Sequence, residues 1–137
     1  MAPDSSYTLA AVLATADMQR LYSGLSLLVS AAVDGESCAA LATFRSLDLI
    51  LDPGLGRLAA NPDSTPGLAW QGRERFARSL AELRDTALSL DTLAVYACSA
   101  SIEAMPVEEA DVEARLDGVM STPRFLRETA GARLLFV

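Results

Sequence analysis

Short apolar segments alternate along the chain with longer segments in which apolar residues recur every three or four positions. Four of the apolar segments have the length and near-continuous hydrophobicity of strands buried on both faces of a sheet. These predicted strands are residues 7–14, 37–44, 92–97 and 132–137. Because they alternate with helical segments, the pattern predicts an α/β fold: a three-layer α/β/α sandwich around a mostly parallel sheet of four or five strands.

The segments between the predicted strands carry helix signals. Apolar residues between Met18 and Ala32 repeat at three- and four-residue spacing, the pattern of an amphipathic helix. Thr15 or Asp17 can cap its start, and Gly35 follows its end. A second amphipathic helix is predicted over residues 76–90. Shorter helices are predicted at residues 46–51, 98–104 and 123–130, the last capped by Thr122, whereas residues 107–120 fit a helix at first and an extended segment towards their end.

Residues 52–72 interrupt the alternation with three prolines and four glycines. Neither a helix nor a central strand tolerates this composition, so a long loop is predicted inside a single domain that spans residues 1–137. Long loops in compact domains often act as lids or as arms at an interface. The loop includes Trp70, the only tryptophan, which either anchors the loop on the core or covers a site or a subunit contact.

Composition excludes most familiar catalytic machinery. The chain has no histidine, and its 11 basic residues are all arginines. This excludes histidine as a general base, Ser-His and Cys-His dyads, histidine zinc sites, Schiff-base lysines and the Walker lysine. We therefore expect no metal and no organic cofactor. The turn after the first strand, residues 14–18, has no glycine and carries an acid, so it is a poor cradle for a dinucleotide or flavin phosphate.

The charge balance narrows the choice of partners. A formal net charge of −7 is unlike the basic footprint of a nucleic-acid-binding protein and disfavours an anionic membrane surface. The chain has no uncharged apolar run of 18 residues, and Met1–Ser6 lacks the features of a signal peptide. Two cysteines, Cys38 and Cys98, are too few for a disulfide framework. Together these features predict a cytoplasmic protein that binds neither nucleic acid nor membrane.

Cys98 has the setting of a reactive thiol. It falls where the third predicted strand ends and a helix begins, and free N–H groups at a helix start favour the thiolate. Ser99 and Ser101 add hydroxyl donors, so these three residues form the candidate site. The alternative is a buried, inert cysteine behind a core strand. Cys38, inside a predicted strand, is expected to serve only packing.

Charged residues near Cys98 in sequence bear on its reactivity in opposite ways. Acidic residues between Glu103 and Asp117 would raise the pKa of the thiol if they lay close to it. We expect them to form a solvated face or an acidic rim for a basic partner. Any local positive charge must come from an arginine; the candidates in predicted loops are Arg45, Arg57, Arg73 and Arg124.

Several segments, in order along the chain, resemble one protein family. Residues 96–105 (YACSASIEAM) resemble its "ACSMSM" segment, in which a cysteine follows the central strand. Residues 117–126 are similar to "DGVE…GVATFLELA", residues 16–28 (ADMQRLYSGLSLL) to "DPERLYxGLxLA", and residues 44–49 to "TFxGLxLL". The family is the DsrE/DsrF-like family, small α/β proteins of bacterial and archaeal sulfur metabolism.

The resemblance implies a sulfur carrier or sulfurtransferase of a sulfur relay. A persulfide would form on Cys98, and its sulfane sulfur would pass to an acceptor thiol on a protein or on a low-molecular-weight partner. The resemblance also implies a homo-oligomer, a trimer or a hexamer. The chain departs from the family at Ala100, where methionine is usual, and at residues 121–123. Two other interpretations stay open: a non-catalytic oligomeric accessory or binding module with a structural Cys98, and a nucleotide binder of flavodoxin-like form.

Overall fold

The computed structural model describes residues 6–137 and contains a five-stranded sheet in which every strand runs parallel to its neighbours. The order across the sheet is β4-β3-β2-β1-β5. The strands are β1 (Leu9–Leu13), β2 (Cys38–Ala42), β3 (Leu93–Cys98), β4 (Gly118–Met120) and β5 (Arg133–Phe136). The predicted α/β class with a parallel sheet is confirmed. Strand β4 lies at the end of residues 107–120, which were predicted to begin as a helix and to end as an extended segment.

Helices occupy the connections between the strands. They are α1 (Met18–Val33), α2 (Phe44–Leu51), α3 (Leu55–Ala59), α4 (Trp70–Ser89), α5 (Ser99–Ala104), α6 (Glu109–Arg115) and α7 (Thr122–Glu128). Asp17 caps α1, because its side chain accepts hydrogen bonds from the backbone N–H groups of Gln19 and Arg20. Ser121 rather than Thr122 caps α7, since its hydroxyl accepts from the Arg124 N–H at 3.3 Å. The predicted start of this helix was thus one residue too late.

The prediction of an unbroken loop over residues 52–72 was wrong. Helix α3 lies within it, and α4 begins at Trp70. Packing explains why this segment is helical here: Leu55 and Ala59 of α3 are buried in the same cluster as Ala77 and Leu80 of α4. Trp70 is 59% exposed and stacks under the Arg73 guanidinium, 5.3 Å from the ring centre, so it does not anchor the segment on the core.

The two faces of the sheet are covered unequally. The first face, with strand residues such as Ala11, Ala40 and Val95, packs against α1, α2, α3, α4 and α6. The second face is formed by Ala10, Ala39, Leu41, Cys98 and Met120, and Phe125 of α7 packs on it. The strand order explains this division. The three connections that lead from β1 through β2 and β3 to β4 all step in one direction across the sheet, whereas the connection from β4 to β5 runs back in the other direction. Because connections between parallel strands are right-handed, this reversal places α7 on the face opposite to the other helices.

A buried arginine ties α4 to the end of α2. Arg84 is 5% exposed, and its guanidinium donates hydrogen bonds to the carbonyl oxygens of Ile50 at 2.7 Å and Asp52 at 3.0 Å. It also pairs with the exposed carboxylate of Asp85 at 2.7 Å. These bonds satisfy carbonyl groups that the end of a helix leaves without an intrahelical partner. Within the described residues, no helix is both long and apolar enough to cross a membrane.

Candidate functional site

The candidate site lies where the chain leaves two neighbouring strands towards opposite faces of the sheet. After β3 the chain enters α5 and α6, and α6 packs on the first face. After β4 it enters α7, which packs on the second face. Such a point opens a crevice at the carboxyl ends of the strands, and open α/β sheets bind their ligands in crevices of this kind. Cys98, the last residue of β3, lies at this switch point.

The side chain of Cys98 points to the second face and is nearly enclosed. It is 3% exposed and belongs to the same buried cluster as Leu41, Met120 and Phe125. Its register partner across the ladder is Met120, the last residue of β4. A partner thiol therefore has little access to the sulfur unless the residues around it move.

Hydrogen-bond donors lower the pKa of the Cys98 thiol. Burial has the largest single influence and raises the pKa, because it disfavours the charged thiolate. Hydrogen bonds from the backbone N–H and the hydroxyl of Ser101, the backbone N–H of Ala100 and the hydroxyl of Thr122 act in the opposite direction, and together they outweigh burial. The net pKa is lower than the ordinary value, as expected where donors stabilise a thiolate.

Ser101 is the better placed of the two serines predicted to support Cys98. It is fully buried, and its backbone and side chain both act on the thiol. Its hydroxyl oxygen also accepts a hydrogen bond from the backbone N–H of Phe44 at 2.8 Å. Ser99 is half-buried at the first position of α5, and its supporting role stays a prediction.

Two residues of this neighbourhood were not identified from sequence. Thr122 was noted only as a helix cap, yet its hydroxyl acts on Cys98 from the start of α7. Phe44 was assigned to the second strand, whereas it begins α2 with φ of +44°, the only non-glycine with positive φ in the described part of the chain. The Thr122 contact depends on the return of α7 across the sheet, and phenylalanine gives no sequence signal for a positive φ.

The structure also shows where charged residues considered in the sequence analysis lie. The acidic side chains from Glu103 to Asp117 are exposed, as a solvated face requires. Arg73, in the first turns of α4, donates hydrogen bonds to the carbonyl oxygens of Ala60 and Leu68 in the preceding segment, at 3.2 and 3.0 Å. Arg124 pairs with Glu128 one turn along α7. These two arginines are therefore occupied elsewhere, and hydrogen bonds supply the stabilisation of the thiolate.

Cys38 serves packing, as predicted. It is fully buried on the first face of the sheet, whereas Cys98 lies on the second, and both thiols are free. Burial is the main reason that the pKa of Cys38 is raised. Tyr96, two residues before Cys98, hydrogen-bonds to the Tyr7 hydroxyl at 3.3 Å. Burial and this bond raise the pKa of Tyr96 above its ordinary value, so it remains a neutral phenol near the thiol.

Among residues 6–137, no three acidic or cysteine side chains are grouped so that they could hold a metal ion. No protein-family model matches the chain, and no curated protein matches it either. The resemblance to the DsrE/DsrF-like family therefore stays a prediction that rests on the sequence segments quoted above.

Proposed function

We propose that the protein is a sulfur carrier of the DsrE/DsrF-like type, in which Cys98 accepts a sulfane sulfur and passes it to an acceptor thiol. The observation that carries the proposal is a thiol of lowered pKa at the topological switch point of the sheet. A lowered pKa raises the fraction of thiolate at neutral pH, and the thiolate is the attacking species in sulfur exchange. Hydrogen bonds give this activation without histidine or lysine.

The proposed reaction consists of two exchanges with no net oxidation. In the first, the Cys98 thiolate attacks the outer sulfur of a donor persulfide; the new bond joins Sγ to that sulfur, and the donor thiolate leaves. In the second, an acceptor thiolate attacks the outer sulfur of the Cys98 persulfide, and the Cys98 thiolate leaves. The hydrogen bonds from Ala100, Ser101 and Thr122 stabilise the Cys98 thiolate both as nucleophile and as leaving group.

The test is the intact mass of the protein after incubation with glutathione persulfide, polysulfide or thiosulfate. Transfer of one sulfur adds about 32 Da, and Cys38→Ser is the matched control because Cys38 lies on the other face of the sheet. We expect the adduct in the wild type and in Cys38→Ser, its loss in Cys98→Ser, and its removal by an excess of acceptor thiol. Absence of an adduct in the wild type with all three donors contradicts the proposal.

One observation favours self-association, which the alternative, an oligomeric binding module with a structural Cys98, also requires. Leu134 and Phe136 of the edge strand β5 are 52% and 72% exposed. They are in register with Ala10 and Val12, so they belong to the second face, beside the part that α7 covers. An apolar edge strand is a surface on which another chain can pair. We propose that the protein forms a homo-oligomer in the cytoplasm, with β5 in the contact.

Sedimentation equilibrium tests the oligomer. We expect the wild type to sediment as a multiple of its 14.5 kDa chain and Phe136→Asp to sediment closer to the monomer. A wild-type monomer at all accessible concentrations contradicts self-association. An oligomer whose Cys98 takes up no sulfur and alkylates slowly at neutral pH supports the binding module instead of the carrier.

A further inference from the structure

The cover over the second face of the sheet is thin. Five helices pack against the first face, whereas in the described part of the chain Phe125 of α7 is the helical side chain that joins the buried cluster on the second face. Helix α7 has only seven residues. Cys98, whose side chain belongs to that cluster, is nevertheless only 3% exposed. A molecule that reacts with this thiol must therefore displace part of its cover.

Helix α7 is held on the sheet by few buried side chains. Of residues 121–131, only Phe125 and Thr129 are buried, whereas α1 buries six of its 16 residues. The Thr129 hydroxyl donates to the Phe125 carbonyl oxygen, 2.8 Å away in the same helix. Phe125 is therefore the main apolar anchor of α7. Segments with few buried apolar contacts are the ones that open locally while the rest of a protein stays folded.

The hydrogen bonds of α7 also close within its own segment. Among the described residues, the hydrogen-bond partners of residues 124–131 all lie between Ser121 and Ala132. The ion pair of Arg124 with Glu128 lies within the helix as well. Movement of α7 away from the sheet keeps all of these bonds. Its main cost is the exposure of Phe125 and of the strand residues beneath it to water.

The two ends of this segment are fixed to the sheet. Before it, Met120 ends β4 in register with Cys98. After it, the Arg133 N–H donates to the Thr8 carbonyl oxygen at 3.0 Å, where β5 begins beside β1. Gly131 lies between α7 and β5 with φ of +91°. Because glycine occupies positive and negative φ about equally readily, the chain can change direction at this residue when α7 moves.

We propose that α7 is a lid over Cys98, anchored by Phe125 and hinged at Gly131, which lifts from the second face while the rest of the fold stays intact. The open lid gives a sulfur donor or acceptor access to the thiol, and only this purpose rests on the proposed function. The closed lid keeps water and unrelated thiols away from the thiol and from a persulfide formed on it.

The urea dependence of alkylation tests local opening, and the wild type carries both the probe and the control. Labelling by N-ethylmaleimide is followed for Cys98 and Cys38 separately, by peptide mass. The slope of the logarithm of the rate against urea concentration increases with the surface that the opening exposes. Cys38 is fully buried on the first face, so we expect it to be labelled through global unfolding with the full slope. Cys98 should be labelled at least about tenfold faster without urea, and with a clearly smaller slope.

Two glycine-to-alanine substitutions test the hinge. Gly131 and Gly35 have φ of +91° and +96°, and a Cβ on either would meet no atom within 4 Å. Gly131→Ala should speed the alkylation of Cys98 about tenfold, because alanine is disfavoured at positive φ and the closed lid requires that conformation. Gly35→Ala places the same strain between α1 and β2, away from the lid. It should therefore speed the labelling of Cys38 and leave that of Cys98 unchanged.

Several results would overturn the lid. Equal urea slopes for the two cysteines mean that Cys98 is reached only by global unfolding. A Cys98 rate equal to that of the urea-unfolded chain means that no opening is needed. If Gly131→Ala leaves the Cys98 rate unchanged, or if Gly35→Ala changes it equally, Gly131 is not the hinge. The urea slopes of the wild type decide on the lid even if a glycine variant does not fold.

The outcomes also separate the lid from the proposed function. If Cys98 is labelled through local opening but the wild type takes up no sulfur from any donor, the lid stands and the carrier function fails. If the wild type takes up sulfur but the two cysteines have equal urea slopes, the carrier function stands and the lid fails.

Discussion

Replacement of Phe125 by alanine should release α7 from the sheet. Phe125 is fully buried and is the α7 side chain in the cluster on the second face. A buried aromatic side chain removes about 150–250 Å² from water, about 4–6 kcal/mol at about 25 cal/mol per Å². An alanine side chain still buries part of this apolar area, and measured Phe→Ala substitutions in protein cores cost about 3–5 kcal/mol. We expect Phe125→Ala to lower the free energy of unfolding by that amount.

Urea unfolding followed by circular dichroism measures the loss, and Leu126→Ala is the matched control on the same helix. Leu126 is 48% exposed, so its truncation should cost about 1 kcal/mol or less. Since Phe125 packs in the cluster that encloses Cys98, Phe125→Ala should also speed alkylation of Cys98 under native conditions. If the two variants lose equal stability, or if Cys98 stays equally protected, the packing of α7 on the second face is not what covers the thiol.

Three further predictions concern stability. Arg84→Met should cost about 1–3 kcal/mol in urea unfolding, because it leaves the buried Ile50 carbonyl group without this donor, whereas Arg78→Met on the exposed side of the same helix should change little. Asp17→Ala should cost about 0.5–2 kcal/mol through loss of the α1 cap, and Asp17→Asn should recover most of it. Because the pKa of Cys98 is lower in the folded state, its ionisation stabilises the fold; this contribution is complete above the ordinary pKa of 9.0 and is lost as the pH falls through the lowered folded pKa. The difference in unfolding free energy between the wild type and Cys98→Ser should therefore grow as the pH rises towards 9.0. A difference that does not change with pH contradicts the lowered pKa.

The strands and the position of Cys98 at a strand end could be predicted because they depend on local pattern. Buried parallel strands are continuous apolar runs, so β1, β2, β3 and β5 were placed within one or two residues of their observed ends. The position of Cys98 followed from the boundary between β3 and α5. Strand β4 has only three residues, too few for a periodic signal.

The rest of the site depends on tertiary arrangement. Thr122 reaches Cys98 only because the crossover to β5 returns α7 over the second face, and the strand order that requires this was not available from sequence. Phe44 was predicted to extend the second strand because it is apolar and follows one. The chain instead leaves the strand at Phe44, whose φ is +44°, and the bond from the Thr43 hydroxyl to the Leu13 carbonyl oxygen just before it links residues 30 positions apart.

The pH dependence of Cys98 alkylation in Cys38→Ser tests the central claim most directly. The account holds that hydrogen bonds from Ala100, Ser101 and Thr122 stabilise the thiolate more than burial disfavours it. It therefore predicts that the alkylation rate follows a single titration with a midpoint below pH 9.0. In Ser101→Ala the midpoint should rise by about 1 to 2 pH units, the effect of one hydrogen bond to a charged group. A midpoint at or above 9.0 in the parent would contradict the account and leave Cys98 as a packed, structural thiol.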